Sequence, residues 1–363
     1  MDTALQALLS YQFVLFCLAV SAFTYVVTMV VNYVFRVKAA NADEVWNEEG
    51  IALYINVSSP VWERLWFRIV GIFMIVGIIS VFYIARIRRS KNQQALLEKQ
   101  VEQRTKELQE KNEKMTDSLR YAETIQKAIL PTETELKEYL PEVFTVYKPL
   151  DIVSGDFYWF KHLGDIVYIA VADCTGHGVP GAFMSMIGSS LLSDMVQQNR
   201  TLKPCETLEL LNQKIRTSLS QQDNRNSDGM DICFCKINLK THQVWFSGAK
   251  RPLYITKKDG VFKEIKGDRK SIGGKKRHKE EKEFTTTEIQ LESGDMIYLT
   301  SDGYADQPNK DGKKIGSLQL QHVLKNIGSL PAQKQRQELT DMLSVHQGDT
   351  KQRDDIAIMG IRV

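Results

Sequence analysis

Four aspartate positions sit at the ends of apolar runs or beside glycine. Asp156 lies in Ser154-Gly155-Asp156-Phe157-Tyr158. Asp173 closes the run Ile166 to Ala172 and opens Cys174-Thr175-Gly176-His177-Gly178. Asp302 closes Met296 to Ser301 and is followed by Gly303, and the pair Asp354-Asp355 precedes the last apolar run. A carboxylate at the end of a buried strand costs free energy unless it is paired or coordinates a metal. Several converging on one place repel one another, and hard divalent cations bound through oxygen relieve that repulsion. Neighbouring glycines let backbone carbonyls and water come close. Two such ions activate a water and clamp a phosphoryl group. Each aspartate alone reads as a turn or cap residue; four in similar contexts point to metal chemistry.

The elements that would carry them follow from hydrophobic periodicity. Strands are expected at 142–148, 151–160, 165–173, 230–238, 243–249, 252–256, 261–266, 294–300 and 355–363, and helices at 180–198, 204–221, 317–327 and 332–345. Short turns between successive strands, such as Gly248 to Pro252 and Lys257 to Gly260, predict antiparallel pairing. Helices come in separate blocks, so the fold class is α+β with layered sheets. Cys233 and Cys235 share one strand face; no second pair has zinc spacing, and packing is the favoured reading. With Cys17, Cys174 and Cys205 they make five scattered cysteines, which is not a disulfide framework.

The first quarter of the 363-residue chain is of another class. Thr3 to Phe35 carries no charged residue, and neither does Ile69 to Ala85. Two transmembrane helices are expected, at about 13–35 and 67–86, with a short external loop between them. Trp62, Trp66 and Phe67 suit an interfacial belt. The cluster Arg86, Arg88, Arg89 and Lys91 puts everything after it in the cytoplasm, so the location is the inner (cytoplasmic) membrane with two passes. Asn56-Val57-Ser58 fits a glycosylation sequon, a pattern too short to carry weight.

From Arg86 to Leu130 there is neither glycine nor proline, and Val101, Leu108, Met115, Ala122 and Ile129 recur every seven residues. Four before each stand Leu97, Arg104, Lys111, Ser118 and Ile125, so the seam is half apolar. The reading is a coiled-coil-like helical linker that makes a homodimer; the alternative is a single solvated helix. The organisation is therefore a membrane anchor, 1–91, a helical signalling linker, 92–130, and a catalytic domain, 131–363.

In that last region the chain resembles the SpoIIE-type branch of the PPM metal-dependent protein serine/threonine phosphatases. The resemblance runs from about Tyr121 to Val363. It is carried by Ile129-Leu130-Pro131, Ser154-Gly155-Asp156, Asp173-Cys174-Thr175-Gly176-His177-Gly178-Val179-Pro180-Gly181-Ala182, Ser247-Gly248-Ala249, Ser271-Ile272-Gly273, Ser301-Asp302-Gly303 and Asp354-Asp355. It implies an α-β-β-α sandwich with two Mn²⁺ or Mg²⁺ ions at the sheet edge, and hydrolysis of phosphoserine or phosphothreonine without a covalent intermediate. It implies that Asp156 and Asp173 bridge or flank the metals, with the Cys174 carbonyl as a backbone ligand, and that Asp302 holds one metal from the opposite sheet. Asp354 fits the family's metal aspartate best; Asp355 is its neighbour, and both stay in the set. His177 resembles the family's candidate general acid, with a loop-packing histidine as the alternative. The upstream phosphate-binding arginine of the larger eukaryotic enzymes has no counterpart, since the nearest upstream base is Lys148. The implied partner is a phosphorylated cytoplasmic regulator, notably an anti-sigma-factor antagonist.

Rival functions are weaker. A sensor histidine kinase has the same layout, but no histidine precedes His162. The Gly-Gly-Asp/Glu-Glu-Phe signature of a nucleotide cyclase is absent. A non-catalytic or weakly active module of the same fold, binding a phosphorylated partner, would be marked by loss of metal aspartates, and all are present. Net charge is +3, from 47 basic and 44 acidic residues, which gives no reason to expect nucleic acid as a partner. The basic stretch 263–283, with Lys275-Lys276-Arg277, reads as a solvated loop, and Asp228 and Asp231 as turn residues or borders of the site.

Overall fold

The computed structural model describes residues 32–38, 46–56, 60–223, 225–274 and 282–363. The expected first membrane span lies outside these residues except for its end, as do Cys17, Val57, Ser58 and Lys275-Lys276-Arg277. That end departs from the expectation. Asn32–Val37 is a strand (β1) paired antiparallel with Ile51–Asn56 (β2). Both segments are rich in β-branched and aromatic residues, which suit a pleated strand and satisfy each other's backbone groups.

Leu65–Ile129 is one unbroken helix, α1, of 65 residues, about 98 Å long at 1.5 Å per residue. The expected second span and the linker are thus continuous. Two described helices are long and apolar enough to cross a membrane. In α1 no residue of the apolar window is buried, whereas the other, Gly178–Gln198, is half buried as a core helix. Compact units divide after Leu108.

The unit from Gln109 onward is built on two antiparallel sheets. One has strand order β11-β7-β6-β5-β4, with β10 paired to β6. Its strands are β4 (Phe157–Leu163), β5 (Ile166–Cys174), β6 (Gly229–Asn238), β7 (Gln243–Ala249), β10 (Ile272–Gly273) and β11 (Thr287–Gln290). The other has order β3-β13-β12-β8-β9, from β3 (Val143–Lys148), β8 (Leu253–Thr256), β9 (Phe262–Ile265), β12 (Met296–Thr300) and β13 (Ile356–Arg362). After the short α2 (Glu133–Tyr139), helices α3 (Gly178–Gln198) and α4 (Pro204–Ser218) cover the first sheet. Past the short α5 (Gly303–Asp306), helices α6 (Ser317–Ile327) and α7 (Ala332–Gln347) cover the second.

Strand periodicity sorts the core into three layers. In β5, Tyr168, Ala170 and Ala172 face the helices, while Val167, Ile169 and Val171 face the other sheet. Cys233, Cys235, Ile297, Leu299, Ala357 and Met359 join that inter-sheet layer from β6, β12 and β13. The layering is the expected α-β-β-α sandwich, and the two cysteines are packing residues within it. Twelve of the thirteen expected strands and helices of this unit match to within a few residues at their ends. The exception is 151–160: the strand starts only at Phe157, because the backbone N–H groups of Leu150 and Gly155 donate to the Asp355 carboxylate instead of a neighbouring strand.

Candidate active site

The two-residue period of the strands places the key aspartates. Asp173 follows Val167, Ile169 and Val171 on the inter-sheet face of β5, and Asp231 precedes Cys233 and Cys235 on that face of β6. The two are cross-strand partners. Asp302 leaves the end of β12 in the facing sheet, just after Leu299, which faces inward. So the apolar layer ends in carboxylates contributed from both sheets.

The loop after β12 is tightly determined. A Cβ on Gly303 would lie 1.9 Å from the Asp355 carbonyl oxygen, so only glycine allows the Asp302 loop to pass the start of β13. A similar closeness holds Asp156: Gly155 and Gly181 pack with a Cβ at either position meeting the Gly176 carbonyl at 2.5 and 2.3 Å. This brings the Ser154-Gly155-Asp156 loop against the start of α3.

At the centre lies a residue that sequence reading passed over. Arg251, in the turn between β7 and β8, donates from Nη2 to Asp302 Oδ2 at 2.7 Å and Asp173 Oδ2 at 2.9 Å, with Asp231 Oδ2 at 3.5 Å. Its signal was its register: Arg251 shares parity with Leu253 and Ile255, which face the inter-sheet layer. In a tight turn between apolar strands, a basic residue otherwise reads as solvated. Asp231 also accepts from Ser271 Oγ at 2.6 Å and pairs with Lys250, which makes it a member of the cluster. Asp228 is a turn residue, accepting from Asn226 and Thr175.

The electrostatics are those of carboxylates short of positive charge. Burial, then the charge of Asp173, pushes the Asp156 carboxyl far above its usual range, and Asp156 Oδ2 is buried with no hydrogen-bond partner. Burial and the Asp302 charge push Asp173 up to about 8 in spite of Arg251. Burial would raise Asp302 too, but the Arg251 guanidinium outweighs it and holds that carboxyl below its usual value. Burial and the charges of Asp302 and Asp355 raise Asp354, with the Asp355 backbone N–H acting against them.

The expected residues separate by role. Asp156, Asp173, Asp302 and Asp354 are electrostatically joined at one end of the inter-sheet layer. Asp355 is engaged by backbone on both oxygens: Oδ1 accepts from Leu150 N–H and Oδ2 from Gly155 N–H, both at 2.7 Å. The Cys174 thiol is buried in the core facing the helices, so only its carbonyl is in question. His177 caps α3, is exposed, and pairs through Nδ1 with Asp151 Oδ2 at 3.1 Å. Asp151 is a second residue that sequence reading missed: it opens the expected strand 151–160 and carries no signal for a site.

Among the described residues no three carboxylates, imidazoles or thiols already converge as a closed metal-ligand group. The donor set nonetheless fits a hard divalent ion: it is all oxygen, it has raised carboxyls, and it includes the orphaned Asp156 Oδ2.

Comparison with known proteins identifies the family and the fold. A family profile described as Stage II sporulation protein E (SpoIIE) matches residues 164–363. The chain is similar to phosphoserine phosphatase RsbU of Bacillus subtilis, 24% identical over 253 residues that span 69% of this chain and 71% of that protein. Its structure is similar to the SiaA-PP2C domain of Pseudomonas aeruginosa, with 33% identity and a TM-score of 0.63, covering 69% of this chain and 98% of that one. A fragment of SpoIIE from Bacillus subtilis containing its PP2C phosphatase domain shares the fold at 17% identity and a TM-score of 0.50, over 61% of this chain and 63% of that one. On its sequence match and its sandwich architecture together, the chain belongs to the SpoIIE family of PP2C-type protein serine/threonine phosphatases.

Proposed function

We propose that this chain is a membrane-anchored, metal-dependent phosphatase that removes phosphate from serine or threonine on a cytoplasmic regulatory protein in partner-switching signalling. The observation that carries the reading is the carboxylate cluster of Asp156, Asp173, Asp302 and Asp354, with Asp156 Oδ2 buried and unpartnered. These four side chains and the Cys174 carbonyl would hold two Mg²⁺ or Mn²⁺ ions. Bound there, the ions supply Lewis acidity to the phosphoryl oxygens and to the attacking water.

The chain's own residues supply the rest. Asp355 holds the backbone of Leu150 and Gly155, and so positions the loop that presents Asp156. His177 stands exposed beside the cluster with Asp151 on Nδ1, which leaves Nε2 to give a proton to the departing serine oxygen. The catalytic set is then Asp156, Asp173, His177 and Asp302.

Membrane anchoring is supported by α1, whose uncharged apolar run from Ile69 to Ala85 has no buried residue and is followed by the basic cluster at 86–91. Dimerisation through the linker is supported by its stripe, since Val101, Leu108 and Met115 are all exposed on the single chain. The substrate reading takes its support from RsbU, a phosphoserine phosphatase.

The test is hydrolysis of a phosphoserine peptide by the purified protein with Mn²⁺, against chelator and against Asp302→Asn. A rate that survives both would end the metal-dependent reading.

A further inference from the structure

The proposed reaction brings a phosphorylated side chain, a dianion, to a site walled by Asp156, Asp173, Asp231, Asp302 and Asp354. Metal ions offset part of that repulsion, but nothing in the carboxylates themselves orients the phosphoryl oxygens. Among the described residues two cationic side chains stand at the cluster. Lys250 is half exposed, with Nζ 3.3 Å from Asp231. The Arg251 side chain is only 15% exposed and sits between Asp173 and Asp302.

The guanidinium is used on one nitrogen. All three carboxylate contacts come from Nη2, while Nε–H is buried and has no acceptor. A buried N–H left without a partner costs free energy, so such a donor in an enzyme site calls for an explanation. A guanidinium presents its donors as a rigid planar fork that matches two oxygens of one phosphoryl group, which an ammonium cannot do.

The backbone beneath it is held on both sides. Lys250 N–H donates to the Asp268 carbonyl and Asp268 N–H to the Gly248 carbonyl, each at 2.8 Å. Arg251 N–H closes onto the Ala249 carbonyl at 2.7 Å, and Pro252 follows. A Cβ on Gly248 or Gly267 would meet the Arg251 carbonyl at 2.3 or 2.7 Å, so the turn is wedged between two glycines. Preorganisation of this kind suits a group that must meet a ligand in a set geometry.

The three carboxylate partners are not equivalent. Asp173 and Asp302 are the ones the metals would engage. Asp231 is outside that set, and is itself fixed by the Ser271 hydroxyl at 2.6 Å. We infer that Arg251 binds the phosphoryl oxygens of the substrate through the guanidinium N–H groups that the carboxylates leave unused, with Asp231 as the residue that holds the guanidinium in place. The inference rests on the metal-dependent phosphatase reading above and adds to it the group that recognises phosphate.

The experiment uses the full chain in detergent with Mn²⁺, a phosphoserine peptide as substrate and inorganic phosphate as competitive product inhibitor. Metal uptake is followed separately by titration calorimetry. Loss of a charge-assisted bidentate contact weakens binding by roughly 10- to 150-fold. For Arg251→Met the inhibition constant of phosphate and KM of the peptide are expected to rise by that much, while metal affinity, which also feels the loss of a counterion at Asp173 and Asp302, shifts by a smaller factor. Arg251→Lys keeps the charge without the fork and is expected to fall between; it decides the matter if the methionine variant does not fold. Asp231→Asn is expected to move the phosphate constant in the same direction by less. An unchanged phosphate inhibition constant in both arginine variants would overturn the inference, and a change confined to metal affinity would make Arg251 a counterion only. A wild-type protein that takes up no metal would instead remove the underlying reading, and this proposal with it.

Discussion

Gln126 is a buried amide near the end of α1, and its removal should be felt two residues from a key carboxylate. Its Nε2 donates to the Ser154 carbonyl at 2.6 Å and to Ser185 Oγ at 2.8 Å, and its Oε1 accepts from Ser154 N–H at 3.1 Å. Gln126→Leu keeps the bulk and deletes all three. Ser185 Oγ still donates to the Ala182 carbonyl at 2.9 Å and approaches the Ser154 carbonyl at 3.4 Å, but Ser154 N–H is left with nothing. An orphaned buried N–H costs about 1–3 kcal/mol and each lost neutral bond about 1 kcal/mol, so the expected loss is about 3 kcal/mol. For a unit of this size that lowers the melting temperature by roughly 6–12 °C. The assay is thermal denaturation of wild type and variant by circular dichroism, beside the rate on a phosphoserine peptide well below either transition. The rate should drop as well, because Ser154 precedes Gly155 and Asp156 and its hydroxyl accepts the Asp156 N–H at 3.0 Å. A melting temperature within 2 °C of wild type, by the same conversion under about 1 kcal/mol, would refute the reasoning.

Four other expectations can be checked independently. Asp354→Asn should weaken metal binding while leaving the melting temperature nearly intact, whereas Asp355→Asn, which turns an acceptor of two backbone N–H groups into a partial donor, should cost about 1–3 kcal/mol of stability; the reverse pattern would exchange their roles. His177→Gln and Asp151→Asn should slow hydrolysis of a serine phosphoester far more than of an aryl phosphate whose leaving group needs no proton, and equal loss on both substrates would count against the general-acid role. At Asp295, burial alone would raise the carboxyl, but the Glu292 N–H, the Lys257 ammonium at 2.7 Å and the Lys258 N–H together hold it below 3.8; its contribution is thus fully present above that pH and lost as pH falls through the lower folded value, so Asp295→Asn should be destabilising at neutral pH and converge on wild type in acid. One to four residues inserted near Glu110 should change the rate periodically, because each turns the downstream helix by about 100°, and seven should largely restore it; a flat series would leave α1 a tether.

Much of the fold was legible because strands and helices declare themselves by period. The unbroken apolar runs of β5 and β13 mark strands buried on both faces between a helical layer and the other sheet. Elements that lack such a signal were missed. Ile272–Gly273 is two residues long and exists only because it meets Met230 and Gly229 on β6. Thr287–Gln290 carries a single half-buried residue and is held by pairing with β7. Asn32–Val37 reads equally as the end of an apolar span or as a strand, and the choice depends on Ile51–Asn56, a segment some 20 residues away that periodicity within one window does not consult.

The site was legible where chemistry contradicts local pattern. Asp173 takes an inward position that Val167, Ile169 and Val171 reserve for apolar side chains, and a carboxylate there needs a cation. The same logic found Asp156 and Asp302. It could not separate Asp354 from Asp355, since both precede the same strand; what sets their surroundings apart is two backbone N–H groups, of Leu150 and Gly155, some 200 residues away in sequence, that engage Asp355. Nor could it find Gln126, a polar residue on a helix and so ordinarily a solvated one, or Arg251, a base in a turn. These residues act through partners that only the folded sandwich brings near. A carboxylate in an apolar strand announces its demand for charge in the sequence, while the groups that meet the demand stand wherever the turns return the chain to that edge. Arg251 is such a group: its position follows from the short crossing between β7 and β8 that carries the chain from one sheet to the other, past Asp173 on one side and Asp302 on the other.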